Sequence, residues 1–216
     1  MGQYSAEDEA DYYEREIEKT LQESLESTER SRRHAENSKK IGTSTAQQLL
    51  EQGEKLKNTE KNLDEIQNTT KMTQRDLNNL KSFFGGYFKN KLAKKPKKST
   101  ETTIIVPHSE TASRLSETAE SLSTGGSSAL FSGQHTLNES SRNVIKGTHW
   151  ETIDNQIDEN LNRLSVDLRD LRSLGLDLGK EVDAQNEMLG RIQNKVDRND
   201  ETLRKQEKEV GILVHF

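Results

Sequence analysis

The chain has no cysteine, two prolines and one tryptophan, and aromatic residues make up only 5% of its 216 positions. Without cysteine there is no disulfide, no thiolate nucleophile, no thiolate zinc site and no S-acylation, a pattern that suits a reducing compartment. Hydrophobic residues account for 29% and charged residues for 32%, against roughly 45–50% and about 25% in ordinary globular chains. A sizeable core cannot be built from this, so long, weakly apolar helices and disorder are expected. No apolar run approaches the roughly 18 residues of a membrane-spanning helix. The start, Met1 to Ala10, is acidic, so neither a signal peptide nor a transit peptide is expected. Gln3-Tyr4-Ser5-Ala6 also lacks the Ser or Thr that an N-myristoylation pattern places sixth. The net charge of −5 comes from interspersed signs, which points to neither a nucleic-acid binder nor an enzyme for acidic substrates. His34, His108, His135, His149 and His215 are scattered, with no His-Glu-X-X-His, no phosphate-binding glycine loop and no clustered nucleophile. No enzyme, cofactor or metal is therefore expected.

What is present is a helical period. From residue 157 to 213 a core-type position recurs at steps of four and three: Ile157, Leu161, Leu164, Leu168, Leu171, Gly175, Leu178, Val182, Gln185, Leu189, Ile192, Val196, Asn199, Leu203, Gln206, Val210 and Leu213. That spacing lays a narrow apolar seam along one side of an α-helix, with charged and amide residues elsewhere, and such a helix needs partners. A weaker seam runs through the first part of the chain. It begins at Ile17 and Leu21, passes through small and polar residues such as Ser31, Ala35, Gly42 and Thr45, and continues as Leu49, Gln52, Leu56, Thr59, Leu63, Ile66, Thr70, Thr73, Leu77 and Leu80. Gly42 and Gly53 each weaken this helix by roughly 1 kcal/mol relative to alanine. Each seam carries a glutamine near its middle, Gln52 and Gln185, where an apolar residue is wanted.

The chain thus reads as four parts. Residues 1–13 form an acidic, disordered lead-in, 14–80 a first helix, 81–148 a flexible linker holding both prolines, and 149–216 a second helix led in by Trp150. The linker opens with Phe83, Phe84, Tyr87 and Phe88, followed by Lys89, Lys91, Lys94 and Lys95 within a segment 83–98. Aromatics beside a lysine run suit the surface of an anionic bilayer, where each basic residue is worth about 1 kcal/mol. A linker of about 68 residues spans more than roughly 200 Å when extended, enough to return along a helix on the order of 90 Å long. A parallel arrangement is the cheaper explanation of so long a connection.

Leu50-Glu51-Gln52-Gly53-Glu54-Lys55-Leu56 and Leu176-Asp177-Leu178-Gly179-Lys180-Glu181-Val182-Asp183-Ala184-Gln185-Asn186 resemble the two Q-type motifs of the synaptosomal-associated proteins, the Qb-plus-Qc SNARE family. The missing linker cysteines resemble its non-palmitoylated branch, which is associated with trafficking and autophagosome fusion. The lead-in has no Asn-Pro-Phe tripeptide, which puts the adaptor binding of some members in doubt.

The resemblance implies an all-α fold, largely disordered alone. Its two helices would join a syntaxin-type and a vesicle-associated-membrane-protein-type helix in a parallel four-helix bundle that drives vesicle fusion. Gln52 and Gln185 would share a central polar layer with a third glutamine and an arginine. A disassembly ATPase and its adaptor would be further partners, and the protein would lie in the cytoplasm, peripherally on plasma membrane or endomembranes. The alternative from another class is a self-associating coiled-coil scaffold or tether without fusion activity.

Overall fold

The computed structural model of the chain describes residues 6–85, 110–124 and 143–214. Three helices make up most of them: α1 (Ala6–Gly85), α2 (Glu110–Ser123) and α3 (Glu151–Val214). The chain divides into two compact units, Met1–Gln47 with Arg114–Gly179 and Gln48–Ser113 with Lys180–Phe216.

The helices depart from the reading of the sequence in three places, one of them the end of α1, which runs on to Gly85 and takes in the first five residues of the expected linker 81–148. Helix α1 begins at Ala6, inside the stretch 1–13 expected to be disordered, because Glu7, Asp8 and Glu9 occupy its first turn and stabilise the positive end of the helix dipole. Helix α2 lies within the expected flexible linker. Its stripe is Ala112, Leu115, Ala119 and Leu122, spaced by three, four and three, with Ala112 and Leu115 buried. Two alanines out of four make that stripe too faint to separate from a Ser/Thr-rich linker.

The hydroxyls crowding α1 are satisfied locally. Thr45, Thr59, Thr70 and Thr73 donate to the carbonyls of Ile41, Lys55, Ile66 and Thr69 at 2.6–3.0 Å, so a seam position filled by threonine strands no polar group. Before α3, Gly147 adopts a φ of 82°, the left-handed region that favours glycine, and its N–H donates to the Glu151 carboxylate at 2.9 Å.

Within the first unit α1 and α3 run parallel. Asn160 donates to Thr28 at 3.3 Å, and Lys39 bonds Asp167 and Asp170 at 2.9 Å each. Leu174, 1% exposed, packs over Gly42, where an added Cβ would come within 2.6 Å of its Cδ2. From α2, Thr118 donates to Asp177 at 2.9 Å. Burial alone would lower the Lys39 ammonium's pKa, but Asp170 and Asp167 outweigh it and hold it above its ordinary value.

The second unit repeats the parallel arrangement. Glu60 accepts from Arg191 and Lys195 at 3.2 Å each, Lys195 also reaches Asp64 at 2.7 Å, and Glu209 bonds Gln74 at 2.9 Å and Lys81 at 2.8 Å. A flank beside each seam is therefore closed. On α1 it holds Ala46, Gly53 and Glu60; on α3 it holds Leu174, Glu181 and Met188, and all six are buried.

Two outcomes follow from this packing. Leu174→Ala leaves a cavity over Gly42 and is expected to cost roughly 2–5 kcal/mol of unfolding free energy, measured by denaturant titration followed by circular dichroism. Burial by itself would raise the Glu60 carboxyl's pKa, but the bonds and charge of Arg191 and Lys195 outweigh it and hold it below the usual carboxylate range. A carboxyl depressed in the folded state adds stability above its unfolded value of about 4.3, and loses it as pH falls through the lower folded value. Glu60→Gln should therefore destabilise at neutral pH and cost progressively less below about pH 4, read from melts of both chains across that range.

Candidate functional site

The site grows from the way parallel packing divides each seam. On α3, Leu164, Leu171 and Leu178 are half-buried and Ile192 is buried, while Ile157 and Leu161 are half-buried near its start. The alternate positions Leu168, Val182, Leu189, Val196, Leu203 and Val210 remain 41–55% exposed. On α1, Leu49, Leu56 and Leu63 are half-buried and Leu77 is buried, whereas Gln52, Ile66 and Leu80 are exposed. Each helix thus turns one row of its seam inward and leaves the other row open. An apolar row at heptad spacing left half in water marks an interaction surface, and covering each of its side chains contributes on the order of 1 kcal/mol.

The two glutamines line one cleft in the second unit. Its volume is about 450 Å³, and its walls include Leu49, Gln52 and Leu56 of α1 with Val182, Gln185 and Leu189 of α3. They do not share an environment there. Gln185 is 6% exposed, while Gln52 is open to solvent.

Gln185 is held by a contact that seam spacing alone does not reveal. Its Nε2 donates to the backbone carbonyl of Leu49 at 2.8 Å and to Glu181 Oε1 at 2.9 Å. Asn199 repeats the backbone contact on the Leu63 carbonyl at 3.1 Å, and Gln206 repeats it on the Thr70 carbonyl at 2.6 Å. All three amides are buried, and each acceptor lies 136 residues before its donor. A helical carbonyl keeps a second lone pair after its own helix bond, so polar seam residues of α3 are satisfied on the backbone of α1 without disturbing it.

Gly53 makes room for the first of these bonds. A Cβ there would lie 3.0 Å from Gln185 Nε2 and 3.4 Å from Glu181 Oε1. The glycine read from sequence only as a weakness of α1 is thus the place where α3 comes close. Gly53, Glu181, Leu174 and Met188 all escaped a strict four–three reading, because they belong to the flank one helical turn from the seam. Leu174 and Met188, three residues after Leu171 and Gln185, were the legible signal of that wider face.

The segment considered for membrane contact is only partly described. Phe83 is 82% exposed in the last turn of α1. The side chain of Phe84 and all of Tyr87, Phe88, Lys89, Lys91, Lys94 and Lys95 lie outside the described residues. Among the described residues, no helix is long and apolar enough to cross a membrane.

No protein-family model matches the chain, and no solved structure does. Curated relatives do match. The chain is 72% identical over 213 residues to Soluble NSF attachment protein 29 of Caenorhabditis elegans, covering 97% of this chain and 76% of that one. It is 29% identical over 209 residues to Synaptosomal-associated protein 29 of Bos taurus, with coverage of 87% and 78%. With Synaptosomal-associated protein 25-B of Carassius auratus the identity is 30% over 179 residues, covering 82% and 80%. The half-covered seam and these relatives agree: the chain belongs to the synaptosomal-associated protein family, the Qbc-SNAREs of membrane fusion and vesicle transport.

Proposed function

We propose that this chain contributes α1 and α3 to a trans-acting four-helix bundle, completed by a syntaxin-type helix and a vesicle-associated-membrane-protein-type helix. The observation that carries this reading is the row of half-exposed apolar residues on α3, with Gln52 and Gln185 lining one cleft beside it. Two further helices laid on the open rows would cover Ile66, Leu80, Val182, Leu189, Val196, Leu203 and Val210. Dry leucine and valine layers supply the driving force, and one polar layer supplies register.

An arginine from the vesicle-type helix would enter the cleft between Gln52 and Gln185 and meet amide oxygens there. A guanidinium buried without acceptors is prohibitively costly, whereas glutamine oxygens take its N–H fork in charge-assisted bonds. A helix displaced by one heptad would leave that charge among leucines. Partners anchored in opposing membranes would then be drawn together as the bundle zips. Vesicle trafficking and exocytosis are the settings that fit, together with autophagosome fusion, which is associated with the cysteine-free branch. A disassembly ATPase and its adaptor would return the chain to its unpartnered form. The cytoplasmic surface of the plasma membrane or of endomembranes is where such a chain would work, held peripherally through the segment 83–98.

Mixing the chain with soluble syntaxin-type and vesicle-type helices is expected to raise helicity beyond the sum of the parts and to yield an SDS-resistant complex. No gain with any cognate pair would falsify the reading. A peptide spanning 83–98 is expected to bind anionic liposomes and to release them as salt shortens the Debye length from about 10 Å at 0.1 M. Equal binding to neutral liposomes would remove the electrostatic part.

A further inference from the structure

The central glutamine of α3 is the end of a hydrogen-bonded chain that starts in the linker. Thr111 of α2 donates through Oγ1 to Glu181 Oε2 at 2.6 Å. Glu181, 3% exposed, accepts through its other oxygen from Gln185 Nε2 at 2.9 Å, and the second hydrogen of that amide goes to the Leu49 carbonyl at 2.8 Å. All four residues lie in the second unit. Both amide hydrogens of Gln185 are thereby committed to oxygens. Turning the amide over would set its own oxygen against a carboxylate and a carbonyl, a pairing of acceptors with no donor between them. The amide is locked in one sense, and the atom left to bond a newcomer is Oε1, in a residue that lines the cleft. Donation to a charged carboxylate polarises the amide and makes that oxygen a stronger acceptor.

We propose that Glu181, held by Thr111 of the linker helix, is a positioning residue that locks the Gln185 amide with its oxygen ready for a guanidinium on a partner helix. The linker helix thereby takes part in the readiness of the polar layer, a role that neither seam periodicity nor the pair of glutamines implies. Gln52 has no such device at its amide in this geometry: it stands open to solvent, while Gln185 is buried and oriented before any partner arrives. The inference rests on the four-helix reading above for its consequence, and on the hydrogen bonds alone for the lock itself.

The test uses the full chain with Glu181→Gln and, separately, Thr111→Val, a near-isosteric change that removes one donor. Each is titrated with a soluble syntaxin-type helix and a vesicle-type helix carrying its arginine, and again with that arginine replaced by glutamine. Glu181→Gln is expected to weaken assembly with the arginine-bearing pair about ten-fold, near the low end for a bond to a charged group, and Thr111→Val about three-fold, because it acts on the amide only through Glu181. The glutamine-bearing pair should be unaffected by either change. In the isolated chain, the two Gln185 side-chain amide protons should exchange slowly with solvent by NMR, and markedly faster in both variants, with total helicity unchanged. Equal weakening for both helix pairs, or amide signals the same in variants and parent, would overturn the proposal. If the parent chain takes up neither pair, the four-helix reading fails, and the amide signals still decide the lock. If Glu181→Gln does not fold, Thr111→Val supplies both readouts.

Discussion

The structure depends on how closely two parallel helices can approach where one of them lacks a side chain. At Gly42 the gap is filled by Leu174, and at Gly53 by the amide of Gln185 beside the carboxylate of Glu181. Glycine is a poor helix former, by about 1 kcal/mol relative to alanine. At these two positions that cost is offset by burial of a leucine in one unit and by satisfaction of a buried amide in the other. Asn199 and Gln206 then reach backbone carbonyls at the same offset of 136 residues. A one-residue slip would break all three amide bonds together, so the parallel register of the second unit is set by hydrogen-bond geometry as well as by apolar area.

This pairing has a consequence for function. A strict seam has two rows, and a helix pair that closes along one row and an adjoining flank necessarily leaves the other row outward. The flank here mixes buried Ala46, Leu174 and Met188 with ion pairs along its length, Glu60 between Arg191 and Lys195 and Glu209 between Gln74 and Lys81. Those pairs hold α1 and α3 side by side without consuming the apolar row on Val182, Leu189, Val196, Leu203 and Val210. The family's role in membrane fusion asks for such a surface: cohesive enough to have a register, and incomplete enough to gain from further helices.

The linker is more than a tether in this arrangement. Helix α2 buries Leu115 completely and sends Thr118 to Asp177 in one unit and Thr111 to Glu181 in the other. Its hydroxyl contacts fall on Asp177 and Glu181, acidic residues of α3 that lie beside the open row and not in it.

Sequence alone determined the helical class, the two seams and the pair of marked glutamines, because each is written in spacing and composition: a 3.5-residue period needs no tertiary contact to be legible. The parallel sense came from the length of the linker. The seam spacing also placed Thr70 and Thr73 in the seam, where their hydroxyls bond carbonyls of their own helix. Only the tertiary structure decided which row of each seam turns inward, that Gln185 is buried while Gln52 is not, that Gly53 is a point of contact, and that residues 110–123 form a helix with its own docking face. Those features depend on which side chain stands opposite which, and a one-dimensional period is the same for every rotation of a helix about its axis.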